Sequence, residues 1–158
     1  GAAVSLIARI GRDTFGDMAR SLLDAEGIDG AAVLSDDATP TGAAAILVDA
    51  ASGDNAIVVV PGAAGAITPD DVAAAEAAIA NADVFATQFE VALPVVRRGL
   101  AIARHGGTAT ILNPAPAVAN VPAALYALSD YFTPNETEAA DLAVQILDLP
   151  HDGIGRSV

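Results

Sequence analysis

Thr133-Pro134-Asn135-Glu136-Thr137-Glu138-Ala139 joins a mostly apolar segment, 124–132, to a segment, 136–142, that reads as a helix. Asn135 therefore stands where a strand ends and a helix begins, the place where open α/β sheets bind ligands. Asn135 and Glu138 lie one helical turn apart, so both side chains face one point in space. Two readings follow. In one the pair is a capping box, with Asn135 as the cap and Glu138 reaching back. In the other, an amide and a carboxylate converging beside free backbone N–H groups suit a metal-hydrated polyphosphate. The two are compatible, because a capped helix start still presents N–H groups to an anion.

The chain around this stretch alternates strand and helix. Residues 4–10 form an aliphatic run ending at Gly11, followed by a helix over 14–26 with apolar Phe15, Met18, Leu22 and Leu23, closed by Gly27. Residues 41–49 and 55–60 are extended runs around the turn Ala50-Ala51-Ser52-Gly53-Asp54, which predicts a β-hairpin protruding as a lid or an interface strand pair. Thr68-Pro69-Asp70-Asp71 starts a helix that carries through Ile79. Strands are expected at 82–87, 108–112 and 131–133, with helices at 93–105 and 122–128 between them. This order predicts a doubly wound, mainly parallel α/β sheet in one domain, 1–158, with the hairpin lid at 41–60. Residues 144–149 read as a helix end and 153–158 as the start of a further strand. The interval between them is short, which suggests missing residues around 142–150.

Composition narrows the function. The chain of 158 residues is 53% hydrophobic but only 4% aromatic, so its core is aliphatic, as buried parallel strands require. A net charge of −13 argues against nucleic acid, whose backbone is bound by basic surfaces. All seven cations are Arg, so a phosphate site here relies on backbone dipoles, a few arginines or a metal. Without Cys there is no disulfide, thiolate metal site or cysteine nucleophile. His105 and His151 are isolated and read as surface residues. No stretch resembles a signal peptide or an apolar membrane span, so a soluble cytoplasmic protein is the expectation.

Taken in order, the set Gly11-Arg12-Asp13-Thr14-Phe15-Gly16, Pro40-Thr41-Gly42, Gln88-Phe89-Glu90, Asn113-Pro114-Ala115-Pro116-Ala117 and Asn135-x-x-Glu138 resembles the middle of ribokinase and its relatives in the PfkB carbohydrate-kinase family. The resemblance runs from about Val4 to Leu142. It implies transfer of the γ-phosphoryl group of ATP to a sugar hydroxymethyl group, assisted by Mg²⁺. Ribose is favoured, with fructose, 2-keto-3-deoxygluconate or a nucleoside as alternatives.

By that resemblance Glu90 contacts sugar hydroxyls, whereas spacing alone makes it an acid before the helix at Leu93. Asn135 lies near the nucleotide phosphates, and Glu138 acts on Mg²⁺ through a metal-bound water. Asn113 reads equally as a crevice residue on the phosphate side or as an Asn-Pro turn. Thr41, Gly42 and Ala43 match the lid strand over the sugar, with Asn55 and Ala56 on its partner strand. Gly11-Arg12-Asp13 is structural, capping the helix that carries Phe15. Relatives commonly carry Asn where this chain has Ala64. The family's sugar-binding aspartate and Gly-Gly motif are expected before Gly1, and its Gly-Ala-Gly-Asp motif with the catalytic base after Val158. None of the 158 residues is therefore expected to be the base, and the chain alone is expected to be inactive or to act as a binding and dimerisation module. A homodimer through the lid hairpin is the expected assembly.

Overall fold

The computed structural model describes residues 1–147, which form two compact units, Gly1–Thr68 and a second beginning at Pro69. In the first, strand β1 (Ala8–Gly11) runs parallel to β2 (Val33–Asp36), and helix α1 (Thr14–Glu26) makes the crossover between them. Asp13 caps α1 by accepting a hydrogen bond from the Gly16 N–H at 2.8 Å. Gly27, left-handed at φ 67°, ends it with its N–H on the carbonyls of Leu23 and Asp24. Ile10, Val33, Ala63 and Ile67 are the buried apolar residues of this unit. The apolar positions that announce α1, Phe15, Met18 and Leu22, are exposed, and Gly16 is its one buried residue. Their spacing sets the helix but not what covers it.

Strands β3 (Ala43–Val48) and β4 (Asn55–Val60) form the expected antiparallel hairpin, with Ile46 opposite Ile57 and Ala44 opposite Val59. Asp49 builds its turn, accepting from the N–H groups of Ala51 and Ser52, both at 2.8 Å. A 3-10 turn, Gly62–Ala66, follows.

In the second unit, strands β5 (Val84–Thr87), β6 (Ala109–Leu112) and β7 (Tyr131–Phe132) lie parallel in that order, Thr87 level with Leu112 and Leu112 with Phe132. The stretch expected as one helix over 69–79 is two, α2 (Pro69–Ala74) and α3 (Glu76–Ala80). Ala75 breaks it at φ −94° and ψ 14°, its N–H bonded to the Val72 carbonyl three residues back. Helix α4 (Leu93–Gly106) crosses from β5 to β6 and packs on α2 and α3. Gly107, at φ 79°, ends it. Phe89, Val96, Leu100, Leu112 and Leu125 form the buried core of this unit, with Phe85 and Phe132 packed against it. Two further helices, α5 (Ala123–Ala127) and α6 (Glu136–Leu147), flank β7 in sequence.

The described residues thus carry the α/β order as two parallel sheets and one hairpin. Strand β2 escaped the sequence reading, because its four residues end in Ser35 and Asp36 and carry little apolar signal. The strand expected at 153–158, and His151, lie outside the described residues. No helix among the described residues is long and apolar enough to cross a membrane.

Candidate functional site

Three parallel strands bring three of the expected residues to one edge of one sheet. Thr87, Leu112 and Phe132 are the last residues of β5, β6 and β7 and stand in register. Asn113 follows its strand immediately, while Glu90 and Asn135 each follow by three residues. The ladder persists past the strand ends, with the Asn113 N–H on the Thr87 carbonyl at 2.9 Å and the Thr133 N–H on the Leu112 carbonyl at 3.0 Å. A further bond, from the Phe89 N–H to the Ala115 carbonyl at 2.8 Å, ties the loop after β5 to the loop after β6. The side chains are therefore carried on loops pinned to the sheet, at its carboxyl edge.

Glu90 is exposed, and its carboxylate has no hydrogen bond or ion pair among the described residues. It does not cap α4, whose N-cap is Ala92 with no side-chain bond. Only the Glu90 N–H is engaged, donating to Gln88 Oε1 at 2.5 Å. Asn113 is likewise exposed, with its amide free among the described residues. Glu90 thus stands before α4 as an acid without a capping bond, its carboxylate exposed.

The capping-box reading of Asn135 and Glu138 is borne out in both directions. Asn135 Oδ1 accepts from the Glu138 N–H at 2.8 Å, and Glu138 Oε2 accepts from the Asn135 N–H at 2.9 Å. Glu138 is only 7% exposed, whereas Asn135 is open to solvent. The cap leaves the Asn135 amide nitrogen and one Glu138 oxygen unused. Among the described residues no three acids or histidines converge to hold a metal ion directly. Magnesium does not require such a cluster, since it keeps several waters and takes one or two carboxylates.

Thr41, Gly42 and Ala43 lie at the root of the hairpin in the first unit, and only Ala43 is within β3. The Thr41 hydroxyl donates to Asp13 Oδ1 at 2.7 Å and accepts from the Gly11 N–H at 2.9 Å. The Thr41 N–H donates to Asp13 Oδ2 at 2.7 Å. These bonds, with that of the Gly16 N–H, hold the Asp13 carboxyl below the usual carboxylate range, the Thr41 backbone N–H contributing most. Asn55 and Ala56 open the partner strand β4. His105, in the last turn of α4, is exposed and away from the strand ends that carry Glu90 and Asn113.

Comparison with known proteins agrees with this geometry. Residues 1–153 match the pfkB family carbohydrate kinase pattern. A segment of 55 residues, 35% of the chain and 10% of the relative, is 49% identical to the bifunctional ribokinase/ribose-5-phosphate isomerase A of Fructilactobacillus sanfranciscensis. Ribokinase from Giardia lamblia superposes with a TM-score of 0.81 at 27% identity, over 96% of this chain and 46% of that one. Arabidopsis thaliana ribokinase, solved with ribose and ATP, gives 0.77 at 25% identity, over 93% and 50%. The chain spans about half the length of the solved structures it matches. With a family match over nearly its whole length, and its polar side chains gathered at the carboxyl edge of a parallel sheet, the chain belongs to the pfkB family of carbohydrate kinases.

Proposed function

We propose that the full-length protein containing this chain phosphorylates a sugar on a hydroxymethyl group, with ribose as the first candidate. The observation that carries this reading is the row of exposed polar side chains, Glu90, Asn113 and Asn135, at the carboxyl edge of β5, β6 and β7. In it Glu90 accepts hydrogen bonds from two sugar hydroxyls, which fixes the orientation of the ring. Asn113 and Asn135 offer amide donors on the phosphate side, and the N-terminus of α6 adds its dipole. Glu138 orients a water of the magnesium ion through the oxygen its cap leaves unused. ATP and Mg²⁺ supply the phosphoryl group and its charge neutralisation when bound.

The hairpin, with Thr41, Gly42 and Ala43 at its root, serves as a lid over the sugar and as the contact between two subunits. Use of ATP fits a cytoplasmic setting. Ribose comes first because the motifs around Glu90, Asn113 and Asn135 are most like ribokinase, and relatives carrying that name support it.

The test is a screen of ribose, fructose, 2-keto-3-deoxygluconate and nucleosides with ATP, on the full-length protein, with Glu90→Gln beside it. A sugar phosphate product is expected, and Glu90→Gln is expected to raise the sugar KM by about 10-fold or more, as loss of a charge-assisted hydrogen bond predicts. Absence of phosphorylation with every sugar, or an unchanged KM in the variant, overturns the reading.

A further inference from the structure

Asp13 sits at the meeting of three backbone segments. It ends the turn after β1, starts α1, and reaches the segment from which the hairpin departs. One oxygen, Oδ1, accepts from the Gly16 N–H at 2.8 Å and from the Thr41 hydroxyl at 2.7 Å. The other, Oδ2, accepts from the Thr41 N–H at 2.7 Å. Thr41 in turn accepts from the Gly11 N–H at 2.9 Å, so its hydroxyl is used as donor and as acceptor. A helix cap needs only the first of these four bonds. The other three serve the hairpin root.

The surrounding backbone leaves no room for a side chain to take over. A Cβ on Gly11 would stand 2.5 Å from the Thr41 nitrogen and 2.7 Å from the Pro40 carbonyl carbon. Just past the returning strand, Gly62 has φ 53°, and a Cβ there would run into the Pro40 carbonyl oxygen and lie 2.6 Å from the Gly42 nitrogen. The Ala63 N–H closes this arm by donating to the Pro40 carbonyl at 2.8 Å. Beyond the root, β3 and β4 are exposed along their whole length and, among the described residues, pair only with each other. The direction in which the hairpin leaves the unit is therefore set at 40–42 and 61–63, with Asp13 and Thr41 as the side chains that bind the first of these arms.

We propose that Asp13 is a positioning residue for the hairpin, holding Thr41 so that the ribbon leaves the end of β1 in one orientation. For substrate the consequence, resting on the sugar-kinase reading above, is that the clasp sets sugar affinity by keeping the lid where it closes. Thr41 then acts through its bonds to Asp13 and Gly11, not by touching the sugar.

The experiment compares full-length wild type with Thr41→Val, Thr41→Ser and Asp13→Asn, by amide hydrogen exchange and by steady-state kinetics. Thr41→Val keeps the helix cap, since Asp13 still holds the Gly16 N–H. Asp13→Asn replaces one of the two acceptor oxygens by a donor and so opens one arm. Expected is faster exchange across 41–48 and 55–60 in Thr41→Val and Asp13→Asn, with α4 and β5–β7 unchanged and Thr41→Ser close to wild type. The sugar KM is expected to rise about 10-fold in the same two variants, more than kcat changes. Unchanged exchange at the hairpin in Thr41→Val overturns the clasp, whatever happens to activity and whether or not Asp13→Asn folds. Faster exchange with an unchanged sugar KM overturns its role in affinity. A wild type that phosphorylates no sugar overturns the kinase reading instead, while the exchange data still decide the clasp.

Discussion

Asn135 and Glu138 hold each other's backbone N–H groups, at 2.8 and 2.9 Å, and so fix the start of α6 at the end of β7. Glutamine serves in a capping box as glutamate does. Glu138→Gln therefore removes the charge and keeps the cap. Its thermal unfolding is expected to stay near that of wild type. Turnover of the full-length protein is expected to fall about 10–100-fold, the usual cost of losing an outer-sphere partner of a metal. The dependence on magnesium should weaken while sugar affinity is spared. Magnesium titrations of turnover check this, and an unchanged titration leaves Glu138 with the cap alone.

Gly99, buried in α4, faces the ring of Phe85 on β5. A Cβ there would lie 2.5 Å from Phe85 Cζ and 2.9 Å from Cε1. Helix propensity favours alanine over glycine by about 1 kcal/mol, whereas overpacking a core costs about 1–3 kcal/mol. Gly99→Ala is expected to lower the urea midpoint, and adding Phe85→Leu to recover part of the loss. A stabilised Gly99→Ala would show that the ring moves aside freely.

The sequence revealed elements best where the polypeptide carries its own punctuation. Helix α1 is bounded by Asp13 and Gly27, and α4 by Pro94 and Gly107, and both were legible to within a residue or two. The break at Ala75 was not, because an Ala-rich stretch carries no Gly or Pro to mark a change from α to 3-10 bonding. For the site, spacing placed Asn135 at a strand end, whereas Glu90 came from the family resemblance and Asn113 read equally as a turn residue. The lock between Asp13 and Thr41 was hidden because it joins residues 28 apart through hydrogen bonds that leave no periodic trace. Thr41 was legible as a residue of the hairpin, but not as one whose hydroxyl is already engaged.

Asp130 joins the turn before β7 to the strand beside it. Its Oδ2 accepts from the Thr110 N–H at 2.9 Å and its Oδ1 pairs with Arg104 at 2.6 Å. These contacts, the Thr110 N–H first, hold the Asp130 carboxyl below the usual carboxylate range. A folded pKa below the unfolded one, about 3.9, gives stability that is complete above the unfolded value and is lost as pH falls through the folded one. Asp130→Asn is expected to unfold more easily than wild type at pH 7. The gap should narrow as the pH falls below about 4. Denaturant unfolding at several pH values measures it, and a gap independent of pH would rule out the carboxylate as its source.

The hairpin carries apolar side chains on both faces. Ala44, Ile46, Val48, Ile57 and Val59 share one, and Ala43, Ala45, Leu47, Ala56, Val58 and Val60 the other. Ile46 on the first face is 62% exposed and Val58 on the second 59%, so the described residues cover neither face. An isolated two-stranded ribbon is marginal in water, and an exposed apolar one with free edges invites pairing. Two such hairpins packed about a two-fold axis would cover the bulkier face of each, leaving the other turned toward a sugar site. Ile57→Asp and Val59→Asp, on the bulkier face, are expected to convert dimer to monomer and to weaken sugar binding in parallel. Sedimentation velocity at micromolar concentration, beside sugar titrations of the same samples, measures both. A wild-type protein that sediments as a monomer there, with both hairpin faces open to exchange, would leave the ribbon without this partner.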